Sequence, residues 1–182
     1  WPMLNLDPEA PVFVPLCGKS KDMLYLREQG HRIIGVELSN FALDCFSREN
    51  HLYLNRVGAP PMPYFEGLGY LLIVGDFFKL DRAKLHGVCA VYDRAALIAL
   101  PEDLRAQYAE HLKSLLQSGT KIFLITLEYD DTEITGPPFN VDQNNVETLF
   151  GDWCQIEKIT QGKEEDFRGS TAREHLYVLS VS

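Results

Sequence analysis

The chain has 182 residues, enough for one domain with a buried core. Its hydrophobic content of 46% and charged content of 24% are those of an ordinary globular protein and exclude a disordered or fibrous chain. A formal net charge of −9, with no basic block to offset it, argues against a nucleic-acid partner.

Strand-like and helix-like runs alternate along the chain. Val12–Leu16 is a first strand, and Lys21–Gln29 a helix with Met23 and Leu26 on one face and Gly30 as its stop. Arg32–Val36 is a second strand. A helix over Phe41–Asn50 follows, capped by Ser39 or Asn40, with Phe41, Cys45 and Phe46 expected inward. Residues 55 to 69 are rich in proline and glycine and read as a loop. Leu71–Val74 and Val88–Tyr92 are the third and fourth strands. Pro101 opens a helix whose Leu104, Tyr108, Leu112 and Leu115 or Leu116 recur at helical spacing, with Gly119 at its end. Ile122–Leu127 is a fifth strand, continuous and apolar as a central parallel strand is. Gly136-Pro137-Pro138-Phe139 is a rigid loop and Val146–Phe150 part of a short helix. Cys154–Ile159 and Leu176–Ser180 are two closing strands, with a polar, mobile stretch Gln161–Ser170 expected between them.

This alternation predicts a doubly wound α/β sheet of about seven strands in one domain over residues 1–182. Ligands of such sheets bind outside the carboxyl ends of the strands. Those ends carry Leu16 to Gly18, Glu37, Asp76-Phe77, Asp93-Arg94 and Glu128-Tyr129.

Gly18 and Glu37 are 19 positions apart, the spacing at which a strand-end glycine and a second-strand acid meet one nucleoside. The glycine lets the backbone approach, and the acid binds the ribose hydroxyls. Neither G-x-G-x-x-G nor the G-x-x-x-x-G-K-[ST] phosphate loop is present, so a ligand with a ribose and no pyrophosphate fits; S-adenosylmethionine is one. At the third strand end an adenine would stack on Phe77 and donate its amino group to Asp76, the alternative being a helix cap and a core aromatic. Arg94 at a buried strand end must find a partner or face a ligand. It either pairs with Asp93 or holds an anionic or electron-rich acceptor. Lys19 reads as a surface residue.

The four cysteines (17, 45, 89 and 154) form no C-x-x-C pair and the five histidines are scattered, so neither a metal site nor a disulfide framework is expected. Cys45, Cys89 and Cys154 read as small buried hydrophobes. No run approaches the ~20 apolar residues of a membrane span, and no signal peptide is seen. A cytoplasmic monomer without nucleic-acid or membrane partners is the expectation.

The chain resembles the thiopurine S-methyltransferase family, its bacterial members in particular. The matching segments are Val14-Pro15-Leu16-Cys17-Gly18-Lys19-Ser20, Gly35-Val36-Glu37-Leu38-Ser39, Gly75-Asp76-Phe77-Phe78, Tyr92-Asp93-Arg94-Ala95-Ala96-Leu97, Leu127-Glu128-Tyr129 and Gly136-Pro137-Pro138-Phe139. The resemblance implies a Rossmann-like class I methyltransferase fold with S-adenosylmethionine as methyl donor and S-adenosylhomocysteine as product. It implies donor contacts from Leu16, Gly18, Glu37 and Leu38, with Asp76 and Phe77 flanking the adenine. Arg94, with Asp93 beside it, would stand at the reacting groups. Pro137 and Pro138 would line the acceptor pocket, with Arg168 as the late arginine and Arg173 as its alternative. Family members begin with a segment that closes over the donor, and it is expected to be missing here. The acceptor implied is a thiopurine or related heterocyclic thiol. The alternatives are a selenium or tellurium oxyanion in metalloid detoxification, a non-catalytic nucleotide-binding module and, weakly, a nicotinamide-dependent oxidoreductase.

Overall fold

The computed structural model describes residues 1–129 and 134–182. Two compact units make up the chain, Trp1–Tyr92 and Asp93–Ser182.

In the first unit, β1 (Pro11–Val14), β2 (Arg32–Glu37) and β5 (Tyr70–Val74) are joined by parallel pairing, β2 to both of its neighbours, and β6 (Ala90–Asp93) pairs parallel with β1 through Ala90 and Val91. α1 (Asp22–Glu28) and α2 (Asn40–Glu49) pack on β2. That cover is why Ile33 to Val36 are buried without alternation. Met23 and Leu26 face inward as their spacing predicts, and Ser39 caps α2 by accepting from the Ala42 N–H at 3.1 Å. The buried face of α2 is Leu43, Phe46 and Ser47 rather than Phe41 and Cys45. Phe41 stands 72% exposed. A helical period starting from Phe46 reaches Leu43 three residues back, and leaves positions 41 and 45 to the flank.

The stretch expected as a loop over 55 to 69 contains β3 (Asn55–Val57) and β4 (Tyr64–Gly67), both antiparallel additions beyond β5. Leu68 and Gly69 form the turn between β4 and β5, both at positive φ (52° and 85°), as the tightest hairpin requires.

In the second unit, α3 (Ala96–Ala99) and α4 (Glu102–Leu115) precede β7 (Lys121–Tyr129). After α5 (Gln143–Phe150), β8 (Cys154–Phe167) and β9 (Ser170–Val181) form a long antiparallel hairpin, and β9 pairs with β7. Gln161–Ser170 therefore lies mostly in paired strand, not in an open segment; only Arg168 and Gly169, again at positive φ, form the turn. The described residues hold nine strands where about seven were expected. Both extra strands come from that first-unit hairpin.

Close packing sets the register of the first unit. Gly35 on β2 leaves no room for a side chain: a Cβ there would lie 2.8 Å from Cys17 Sγ and 3.0 Å from Leu72 Cδ2. Both neighbours are buried. Gly35→Ala is expected to lower stability by about 1–3 kcal/mol from overpacking, and adding Cys17→Ala to recover part of the loss, read from denaturant melts of the three chains.

Candidate active site

The first unit presents a strand-end cluster built around Glu37. The chain leaves β1 with Leu16 at φ 44° and Gly18 at φ 50°. Such left-handed backbone favours glycine. The Cys17 N–H stays bonded to the Val36 carbonyl at 3.0 Å, which holds this loop against β2. Glu37 then closes the loop from the other side: its Oε2 accepts from the Gly18 N–H at 3.0 Å, and its Oε1 from the Ser39 N–H at 2.8 Å. Each oxygen keeps acceptor capacity after those bonds. A Cβ on Gly18 would meet nothing nearer than Glu37 Oε2 at 4.0 Å, so the space over the loop is open. Leu38 is 74% exposed next to the acid, close in sequence to the exposed Phe41. Leu38, a large apolar side chain left in water next in sequence to a half-buried carboxylate, suits a ligand that is polar at one point and flat or apolar elsewhere.

At the end of β5 the Gly75 N–H donates to the Glu37 carbonyl at 2.9 Å, tying this strand end to the same cluster. The Asp76 Oδ1 accepts from the Phe78 N–H and starts a 3-10 turn over Phe77–Lys79. Phe77 is buried, its ring stacked 6.5 Å from that of Phe13 at 12°. Its ring is therefore part of the core, and Asp76, half-buried, is the member of that pair that reaches the surface. Met62 lies across Gly75, where a Cβ would come within 2.9 Å of its side chain. No periodicity or motif points to Met62, because its contact with Gly75 depends on the antiparallel hairpin over 55 to 67.

The second unit holds Asp93, Arg94, the diproline loop and the late arginines. Asp93 is 2% exposed. Its Oδ1 accepts from the Ala96 and Leu97 N–H groups at 2.9 and 3.2 Å, and its Oδ2 from the Tyr108 hydroxyl at 2.6 Å. Burial pushes its pKa up, against the pull of these three bonds, and burial together with the Asp93 charge pushes that of Tyr108 well up. The Asp93 carboxylate is thus turned to the interior, whereas the Arg94 side chain is half-exposed and its Nη2 lies 3.9 Å from Glu174 Oε1.

Around Gly136–Phe139 the contacts are specific. The Phe139 N–H donates to the Ile98 carbonyl at 2.7 Å, the Tyr129 hydroxyl to the Pro138 carbonyl at 3.0 Å, and Arg168 Nη2 to the Pro137 carbonyl at 3.1 Å. The Phe167 ring stands 5.5 Å from that of Tyr129 and under the Arg168 guanidinium at 5.0 Å. Arg168 is therefore joined to Pro137 of the diproline loop. Arg173 is bonded to Glu164 and borders a different, polar cavity of about 250 Å³ with Glu128, Lys158 and His175. His175 is buried with Nε2 2.7 Å from Glu128 Oε2, and burial lowers its pKa. A second cavity of about 250 Å³ has a floor of Leu127, Phe167 and Ala172 and carboxylates from Glu165, Asp166 and Glu174. Glu174 is the same side chain that faces Arg94. Among the described residues there is no cluster of histidine, cysteine and acid able to hold a metal, and no helix long and apolar enough to cross a membrane.

Comparison with known proteins adds a family and a fold. The sequence profile of the family described as Thiopurine S-methyltransferase (TPMT) matches residues 1–180. A Thiopurine S-methyltransferase of Nitrosospira multiformis is 44% identical over 161 residues, covering 88% of this chain and 73% of that protein. One from Shewanella baltica is 45% identical over 159 residues, 87% of this chain and 73% of that one. Among solved structures, a SAM-dependent methyltransferase from Anabaena variabilis superposes with a TM-score of 0.69 at 19% identity, covering 99% of this chain and 80% of that chain. One from Methanosarcina mazei gives 0.69 at 15% identity, covering 100% and 98%. A Burkholderia thailandensis 1,6-didemethyltoxoflavin-N1-methyltransferase with bound S-adenosylhomocysteine gives 0.66 at 14% identity, covering 99% and 75%. The architecture is the Rossmann-like fold of S-adenosylmethionine-dependent methyltransferases.

Proposed function

This chain belongs to the thiopurine S-methyltransferase family, and from that membership we propose that it moves the methyl group of S-adenosylmethionine to the sulfur of a heteroaromatic thiol of the thiopurine class. It is a methyltransferase of the S-adenosylmethionine-dependent kind. The observation that carries the donor half of the reading is the Glu37 carboxylate. It is held by the Gly18 and Ser39 N–H groups with acceptor capacity to spare for two ribose hydroxyls. Leu16 and Gly18 border the nucleoside, Leu38 lies along its base, and Asp76 receives the exocyclic amino group. Phe77 supports Asp76 from the core, and Met62 is the apolar side chain available beside it.

When bound, the donor supplies a sulfonium methyl that an ionised sulfur attacks in line. Heteroaromatic thiols ionise near neutral pH, so no strong general base is needed. The protein's part is positioning and exclusion of water. Arg94 faces the acceptor and favours its thiolate or bonds its ring nitrogen. Pro137 and Pro138 form a wall whose place is set by Arg168, Tyr129 and Ile98. Asp93 supports Arg94 from within and does not itself touch the acceptor.

A selenium or tellurium oxyanion is the competing acceptor. Arg94 sits beside Glu174, and the adjoining cavity carries Glu165 and Asp166 as well. Three carboxylates repel a small anion and tolerate a largely neutral ring whose charge is spread over sulfur and nitrogen. That supports the thiol.

Three outcomes follow. Glu37→Ala is expected to weaken S-adenosylhomocysteine binding by about 1–3 kcal/mol, from lost bonds to the sugar and a loosened Gly18 loop; wild-type affinity by calorimetry refutes the donor assignment. Arg94→Ala is expected to raise the acceptor KM or lower kcat with 6-mercaptopurine while donor affinity stays near wild type; unchanged kinetics remove Arg94 from the mechanism. In direct competition near neutral pH, 6-mercaptopurine is expected to be methylated faster than selenite, and the reverse order assigns the oxyanion instead.

A further inference from the structure

We infer that Tyr108, acting through Asp93, is a positioning residue for the acceptor half of the site, setting from the interior the place of Arg94 and of the diproline loop together. The inference rests on the reading of Arg94 as the group that faces the acceptor.

The geometry forms one continuous path. α4 is a 14-residue helix with Tyr108 fully buried on it. The Tyr108 hydroxyl donates to Asp93 Oδ2 at 2.6 Å, the short separation of a charge-assisted O–H bond. The other carboxylate oxygen accepts from Ala96 and Leu97, the first two N–H groups of α3. At the far end of α3, the Arg105 Nε on α4 donates to the Leu100 carbonyl at 3.0 Å. α3 is therefore pinned to α4 at both ends. In its middle, the Ile98 carbonyl receives the Phe139 N–H at 2.7 Å, and the Arg105 guanidinium lies 5.8 Å from the centre of the Phe139 ring. The loop with Pro137 and Pro138 is thus hung on the same short helix whose leading end follows Arg94.

A four-residue helix has almost no stability of its own. Its position is whatever its outside bonds make it. Arg94 lies between the anchored Asp93 and the start of α3, so its backbone has little freedom while those bonds hold. Removing the phenol oxygen leaves one lobe of a buried carboxylate without its donor, which is costly. The relief available is a proton on Asp93 or a shift of α3, and either one loosens Arg94 and Phe139 at once. The titratable group that faces Asp93 from α4 is Tyr108; the other two donors are backbone.

The test is a double-mutant cycle with two readouts. Wild type, Tyr108→Phe, Arg94→Ala and the double variant are compared for acceptor KM at saturating donor and for S-adenosylhomocysteine affinity. Tyr108→Phe is expected to melt cooperatively, to raise the KM for 6-mercaptopurine several-fold, and to leave donor affinity within about twofold of wild type. In the double variant the KM is expected to exceed that of Arg94→Ala by a smaller factor than Tyr108→Phe costs on its own, because part of the tyrosine's effect runs through the arginine and the rest through the diproline loop. Multiplying losses, or an unchanged KM in Tyr108→Phe, overturn the positioning role. The second readout is amide hydrogen exchange. Ala96, Leu97 and Phe139 are expected to lose protection in Tyr108→Phe while Leu112 on α4 keeps its own; unchanged protection at those three amides overturns the path itself. Should Arg94→Ala leave the KM untouched, the acceptor assignment of Arg94 fails and the exchange data still decide the path. Should Tyr108→Phe not fold, Asp93→Asn takes its place in both measurements.

Discussion

The donor half depends on one carboxylate accepting from two backbone amides that belong to different elements. Glu37 ends β2, Gly18 lies in the loop after β1, and Ser39 caps α2. By joining these the acid fixes a loop that has two residues at positive φ and could not hold its shape from pairing alone. The same two bonds decide what the acid is able to do next. A carboxylate has about four acceptor positions, and one used on each oxygen leaves the others facing the open space above Gly18. In the proposed function, structure and recognition draw on the same group without competing, because the backbone takes one side of each oxygen and leaves the other for a ligand.

Asp93 shows the opposite arrangement of the same chemistry. It too ends a parallel-paired strand and accepts from the start of a helix. Yet its remaining oxygen is turned to Tyr108 and away from solvent. A buried anion must have such donors or give up its charge. Once they are supplied, the anion becomes a rigid hub for whatever is bonded to it, here a single helical turn. The two strand-end acids thus divide the labour: the one in the first unit offers acceptors outward, and the one in the second unit holds a short helix and, through it, the backbone beside a cation.

Much of this was legible in the sequence, for definite reasons. The Gly18 to Glu37 spacing followed from two short buried strands joined by a helix, each with a strong stop signal. Ser39 and Gly30 marked helix ends that the structure repeats. The failures are equally specific. Residues 55 to 69 read as a loop because prolines and glycines are frequent there. The two strands there are three and four residues long, too short to show a period. Phe41 reads as inward by its chemistry, although the helical phase set by Leu43 and Phe46 turns it out. The family resemblance sets Asp93 beside Arg94 at the reacting groups, and the sequence alone offers an ion pair between them as the alternative. Neighbours at a strand end point to opposite sides, so adjacency separated them. Tyr108 was readable only as a core residue, since the partner of its hydroxyl lies 15 positions away.

The late hairpin bears on which acceptor this chemistry suits. β8 and β9 bring Phe167, Arg168 and Glu174 to positions around β7 and the diproline loop. An arginine facing a glutamate at 3.9 Å, both partly exposed, is a weak pair in water. Its value lies in what it does to an incoming group. A compact oxyanion gains from the guanidinium but meets the carboxylates of Glu165, Asp166 and Glu174 at close range. A ring thiol presents a sulfur to the cation and ring N–H donors to the acids, and its apolar faces match Leu127, Phe167 and Ala172. On the proposed reading, the mixed lining favours molecules that are polar at their edges and apolar on their faces, the substrate class proposed from the family.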